Sequence, residues 1–269
     1  MTEKKTQPVH YIYSREEDAA RRALDAWHEA DGNRVIPAVV AAFDKPYGMT
    51  SFRLVAQVRW LLTRKWGVKK VKVGHAGTLD PLATGVLVIC TGRATKRIDE
   101  LQAGVKEYTA TLKLGATTPS FDMEHPVDAE YPTEHITEEM VRETLAGFKG
   151  EIMQVPPVYS ACKVEGKRAY DLARKGQADE VELKAKPLRI DEIELTDCRL
   201  DKQEITIRVV CSKGTYIRAL ARDIGVALHS GAYLTALRRT RVGNFTESAC
   251  FTPEDFEKML QTPPDAKQD

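Results

Sequence analysis

Apolar residues recur at a helical period in some stretches and alternate or run unbroken in others, and this pattern divides the chain into elements. Ser14 and Glu17 have the spacing of a capping box, and Ala20, Ala23, Leu24 and Trp27 follow on one helical face until Asp31-Gly32-Asn33 stops it. Val35 to Phe43 is β-branched and apolar, as a buried strand is, and runs into the turn Lys45-Pro46-Tyr47-Gly48. Thr50 or Ser51 then caps a helix whose apolar positions Leu54, Val58, Leu61 and Leu62 share a face, with Gly67 as its stop.

Downstream, KKVKV predicts a basic strand, GVLVIC (Gly85 to Cys90) a fully buried one, and Lys106 to Leu114 a strand with Tyr108, Ala110, Leu112 and Leu114 on one side. Helices are expected at Thr137 to Phe148, Arg168 to Lys175 and Thr215 to His229, and Leu188 to Cys198 pairs with Glu204 to Cys211. Neither strict βαβ repetition nor an all-β pattern results. The fold class is α+β, with a mixed, largely antiparallel sheet and flanking helices. Residues 1–35 read as a tail with an appended helix, 36–250 as one main domain, and 251–269 as a C-terminal helix and tail.

Composition narrows the classes of function. The longest apolar stretch near the N-terminus falls far short of the roughly 20 residues of a membrane helix, and the first residues lack the apolar core of a secretory signal. No membrane association and a cytoplasmic location are expected. The five cysteines, at 90, 162, 198, 211 and 250, form no CxxC pair and no zinc-ligand spacing with a histidine, so they read as reduced thiols and no metal site is expected.

The net charge of +1 conceals strong segregation. Trp60 to Val73 carries Arg64, Lys65, Lys69, Lys70 and Lys72 with no acid, and Ile205 to Phe245 carries seven basic residues against Asp223 alone. Pro119 to Leu145 holds eight acids against one arginine. Basic segments that converge in space make a phosphate-binding face, although on charge alone ordinary solvated surface is the favoured reading.

The segment richest in chemistry is Gly74-His75-Ala76-Gly77-Thr78-Leu79-Asp80-Pro81-Leu82-Ala83-Thr84-Gly85. Its three glycines permit tight turns, and Pro81 restricts Asp80 to an extended backbone that fixes where the carboxylate points. Turn chemistry alone would also explain an Asp-Pro here.

This segment resembles the catalytic GHxGxLDPxAxGxL motif of the TruB family of tRNA pseudouridine synthases. Lys45 to Ser51 (KPYGMTS) is similar to that family's KPxGxTS motif, and Lys106-Glu107-Tyr108 to its KxY. Pro156 to Ala161 with Lys163 and Gly166 to Tyr170 resembles its PPxYSAxKxxGxxxY stretch, Cys211 to Arg218 its CSKGTYIR block, and Leu237 to Thr240 its LRRT.

The resemblance implies a pseudouridine synthase fold with a central RNA-binding cleft, and an enzyme that isomerises uridine 55 in the T-loop of tRNA without a cofactor. It implies Asp80 as the essential carboxylate, acting at uracil C6, at ribose C1′ or in departure of the base, on a uridine flipped out of the RNA. Arg218 would hold that carboxylate charged and oriented, and Tyr108 would stack on the base. Tyr108 is also what a buried strand aromatic looks like. His75 would face the displaced RNA, Lys45, Lys163 and Arg168 would contribute phosphate or loop contacts, and Tyr216 and Leu237 would line the substrate site.

A PUA-type RNA-binding domain does not fit in the two dozen or so residues after Phe245. The expected partner is therefore the T-arm of tRNA, bound by a monomer without an obligatory protein partner. A guide-dependent H/ACA-type synthase and a non-catalytic tRNA-folding protein are the alternatives.

Overall fold

The computed structural model describes residues 7–30, 33–160, 163–164, 167–168 and 183–261. Two compact units make up the chain: residues 1–104 with 239–269, and residues 105–238.

In the first unit, β1 (Val9–Ile12) lies parallel to β2 (Ala38–Lys45), with Val9 opposite Ala38. The other ladders are antiparallel, as β3 (Val73–His75) and β2 both pair with β4 (Ala83–Thr91). The unbroken apolar runs of β2 and β4 are explained by burial on both faces. Val39, Ala41, Phe43, Leu87 and Ile89 point to one core with the helices, while Val40, Ala42, Val86, Val88 and Cys90 point to another with Val242 and Phe245.

Two helices of this unit have contrasting beginnings. α1 (Glu17–Leu24) carries no side-chain cap, because Ser14 Oγ accepts from the Glu16 amide and does not reach the helix, so the expected capping box does not form. The helix also ends before Trp27, and His28–Ala30 and Asn33–Val35 pair as strands where a stop signal was expected. α2 (Ser51–Trp66) follows the local rules: Thr50 accepts from the Arg53 amide, and Gly67 closes the helix at φ 61°. KKVKV joins a strand only at Val73, and the four residues before it belong to no strand.

The second unit contains β5 (Lys106–Leu114), α3 (Glu138–Gly147), β6 (Gly150–Gln154), β7 (Lys186–Arg199), β8 (Glu204–Cys211) and α4 (Ile217–Ala227). β5, β8, β7 and β6 form consecutive antiparallel ladders. Thr137 caps α3 by accepting from the Met140 amide. The strands Lys163–Val164 and Lys167–Arg168 form a two-residue ladder, so Arg168 does not begin a helix. The rest of the helix expected at 168–175 lies outside the described residues.

β9 (Ala232–Val242) leads out of the second unit, and α5 (Pro253–Gln261) completes the first, burying Phe256 against Phe43. Residues 7–30 and 33–35 pack within the first unit: Trp66 Nε1 donates to the Leu24 carbonyl at 2.9 Å, and Tyr13 stacks on Phe245. Both the α+β class and the mixed, mostly antiparallel sheet agree with the sequence pattern. Cys90, Cys211 and Cys250 are buried and Cys198 partly buried, none of the four in a disulfide, whereas Cys162 lies outside the described residues. Burial alone pushes the Cys90 thiol up to about 12.

Candidate active site

Asp80 sits in the loop between β3 and β4, and hydrogen bonds brace the backbone on both sides of it. The Ala76 amide donates to the Val88 carbonyl at 2.9 Å, and the Ala83 amide closes a tight turn onto the Asp80 carbonyl at 3.1 Å. Gly77 and Gly85 take φ values of 104° and 99°, which only glycine adopts without strain. Asp80 is half-buried.

The KPYGMTS segment grips the loop from one side. Ser51 Oγ donates to the Leu79 carbonyl and accepts from the Leu79 amide, both at 2.9 Å, and the Gly48 amide donates to the Pro81 carbonyl at 2.9 Å. Lys45 Nζ is fully buried and donates to the carbonyls of Met49 at 2.6 Å, Pro46 at 3.1 Å and Pro81 at 3.3 Å. Burial, aided by the nearby Arg239, lowers its pKa to about 8 against the opposing fields of the Asp80 and Asp44 carboxylates. Lys45 therefore organises the loop from within and offers no ammonium to a phosphate.

Arg239 grips it from the other side. Its guanidinium, 1% exposed, donates from Nε to the Val86 carbonyl at 2.8 Å and from Nη2 to the Gly77 carbonyl at 3.1 Å, with Nη1 3.4 Å from the Thr78 carbonyl. One side chain thus joins the entry of the Asp80 loop to the strand that leaves it. His75, at the end of β3, is shifted towards the neutral imidazole by burial and by Arg239, against a hydrogen bond with the Gly77 backbone.

In the second unit, Tyr108 projects from β5 opposite Val209 and is only 8% exposed. Arg218, in the first turn of α4, donates from Nη2 to the Tyr159 carbonyl at 2.7 Å and from Nη1 to the Ser120 carbonyl at 3.0 Å. Its Nε lies 3.7 Å from the Asp122 carboxylate, which itself accepts from the Ser120 hydroxyl at 2.6 Å and the Glu124 amide at 3.0 Å. This assembly holds the guanidinium in one orientation at 5% exposure.

Gln154 fixes the backbone at the start of α4, accepting from the Tyr216 amide at 2.9 Å and donating to the Tyr216 carbonyl at 3.2 Å. Tyr216 and Leu237 are half-buried. Lys163 and Arg168 face each other in their short ladder, and their side chains lie outside the described residues. Asp80, His75 and Lys45 belong to the first unit and Tyr108, Arg218, Tyr216 and Leu237 to the second.

Asp122 and Arg239 are absent from the sequence-derived set of site residues. Asp122 is one of eight acids in a run that reads as solvated surface, and no local signal marks it as the buried one. Arg239 stands inside the LRRT block, whose match was the available signal. Among the described residues, no three His, Cys, Asp or Glu side chains gather as metal ligands, and no helix is long and apolar enough to cross a membrane.

Two family sequence models match the chain. The N-terminal domain of the TruB family pseudouridylate synthases matches residues 64–217, and the C-terminal domain of tRNA pseudouridylate synthase B matches residues 218–268. The tRNA pseudouridine synthase B of Bacteroides thetaiotaomicron is 66% identical over 223 residues, covering 82% of this chain and 92% of that protein. That of Flavobacterium johnsoniae is 50% identical, covering 82% and 96%. Among solved structures, the chain resembles one in a Cbf5-Nop10-Gar1 complex at 30% identity and a TM-score of 0.61, over 81% of this chain and 53% of that one. It therefore spans little more than half the length of that solved relative.

Proposed function

This chain belongs to the TruB family of pseudouridylate synthases, enzymes that isomerise uridine to pseudouridine, and we propose that its target is uridine 55 in the T-loop of tRNA. The observation that carries this reading is the Asp80 loop, held by Ser51, Gly48 and Lys45 on one side and by Arg239 on the other. A carboxylate that must meet one atom of a displaced base needs a backbone that does not yield, and these contacts supply it.

Asp80 is the essential carboxylate in this reading, with its half-buried position giving access to a flipped nucleotide. Tyr108 stacks on the base, and Arg218, held by Ser120, Asp122 and Tyr159, supplies a fixed positive charge for the carboxylate. His75, biased towards the neutral imidazole by burial, faces the RNA structure from which the base is displaced, with Tyr216 and Leu237 against the substrate. Lys163 and Arg168 contribute contacts to the RNA. Catalysis is assigned to residues 36–250, with 1–35 and 251–269 as appended segments, and it needs neither metal nor cofactor. The protein acts in the cytoplasm as a monomer on the T-arm, without an obligatory protein partner.

Cbf5-type structural relatives make a guide-dependent synthase the second reading. The higher identity to proteins named tRNA pseudouridine synthase B favours the stand-alone enzyme. Mapping pseudouridine in total tRNA from cells with and without this protein decides between them. Loss confined to position 55, restored by the purified protein alone on a tRNA transcript, is the expected result. Loss at other sites, or a need for added guide RNA, would overturn the assignment.

A further inference from the structure

The outer face of α2 carries aromatic rings that its packing does not use. Leu54, Val55, Val58, Leu61, Leu62 and Trp66 are buried, and that stripe satisfies what the fold needs from the helix. On the opposite side Phe52 is 70% exposed and Trp60 52%, two turns apart on one row. Exposed rings of this size, over half in water, contribute little to folding.

Charge around these rings is of one sign. At the chain's average density, the 35 residues from Lys45 to Leu79 would hold about five acids, and they hold none. Arg59 and Lys65 are engaged by the fold, through the Val73 carbonyl and Asp25. Arg53, Arg64 and, past the Gly67 stop, Lys69, Lys70 and Lys72 are exposed. The Arg64 guanidinium lies over the Trp60 ring, 4.7 Å from its centroid, so cation and aromatic face form one platform.

We propose that this face of α2, with the lysine turn that follows, binds unpaired RNA: bases stack on Phe52 and Trp60, and phosphates pair with Arg53, Arg64, Lys69 and Lys70. Each part of that ligand answers an observed feature, because a base offers a π-face and a backbone offers regularly spaced negative charge. Location favours RNA over other polyanions. α2 begins at Ser51, which is bonded to Leu79 next to Asp80, and runs about 24 Å away from that loop for its 16 residues. An RNA whose target base occupies the Asp80 loop has further nucleotides within reach of the helix. The identity of the ligand as the tRNA substrate rests on the function proposed above, while the face itself does not.

Two doubly substituted forms of the full chain test this, Phe52→Ser with Trp60→Ser and Lys69→Glu with Lys70→Glu, using an unmodified tRNA transcript as the probe. All four positions are exposed, and unchanged thermal melting confirms that the variants fold. The aromatic pair is expected to weaken tRNA binding by roughly tenfold or more, and the lysine pair to reduce the slope of log K against log salt by about two. Wild-type affinity and salt slope in both variants would overturn the proposal. So would a loss of binding to phosphatidylserine vesicles, or a change in oligomeric state, with tRNA binding unaltered. If the wild type binds the transcript through this face yet makes no pseudouridine, the enzymatic reading falls and the face stands. Normal pseudouridine formation with unaltered tRNA binding in both variants has the opposite meaning.

Discussion

Arg239 donates from Nη2 to the Gly77 carbonyl at 3.1 Å, across 162 positions of sequence, and this contact closes the Asp80 loop against the strand that follows it. Replacing Arg239 with Met removes the donors for the Gly77, Thr78 and Val86 carbonyls and leaves them poorly satisfied. Each unsatisfied buried group costs about 1–3 kcal/mol, so a loss of about 3 kcal/mol is expected in urea unfolding. A loss below about 1 kcal/mol would show that the loop does not depend on this side chain.

Gly85 and Gly48 separate backbone strain from steric conflict. Both have positive φ, at 99° and 76°, but a Cβ on Gly85 would overlap the Arg239 backbone, whereas one on Gly48 meets nothing within 4 Å. Gly48→Ala is expected to cost about 1 kcal/mol, from conformation alone. Gly85→Ala should cost several times more and lower activity along with stability. Equal effects in the two variants would contradict the close packing of β4 on Arg239.

Lys45 gives stability a pH dependence of definite sign. Its pKa is lowered to about 8 in the folded protein, from 10.5, so the unfolded chain holds the proton more tightly. The burden of burying the charge is in full force below pH 8 and disappears as pH rises through 8 to 10.5, so this residue makes stability increase over that window. The stability difference between wild type and Lys45→Met, followed by denaturation from pH 7 to 10, isolates the contribution. The wild type should gain on the variant as pH rises, and a flat difference would contradict the charged, buried state.

Asp122 is expected to act through Arg218. Asp122→Ala removes the carboxylate at 3.7 Å from the guanidinium and the acceptor for Ser120, and leaves Arg218 less firmly oriented. Pseudouridine formation at saturating tRNA should slow by about tenfold to a hundredfold with tRNA affinity kept, the scale of a small misplacement. An affinity loss without a rate loss would assign Asp122 to binding.

What the amino-acid pattern reveals follows the range of the interactions. α2 was legible down to a cap at Thr50 or Ser51, which the structure places at Thr50, and a Gly67 stop, because each signal lies within a few residues of what it controls. β2 and β4 were legible because burial on both faces leaves unbroken apolar runs. β1 was not, since its edge position depends on pairing with Ala38 to Ala41, almost 30 residues away. Ser14 had the spacing of a cap, but its hydroxyl bonded the nearer Glu16 amide.

The site divides in the same way. Asp80 and the motifs around it could be found by resemblance, including the segment that holds its loop. The buried state of Lys45, with three carbonyls around its ammonium, could not, because a lysine beside a turn reads as a surface cation. Arg239 and Asp122 acquire their roles from partners distant in sequence, Val86 in one case and Arg218 in the other.

The proposed function rests the isomerisation on the firmly held Asp80 carboxylate. The most direct test is single-turnover pseudouridine formation on a tRNA transcript by the wild type and by Asp80→Asn, with tRNA binding measured alongside. Conversion of uridine 55 by the wild type is expected, with no detectable product from Asp80→Asn despite retained binding. Product formed by Asp80→Asn at the wild-type rate would contradict it.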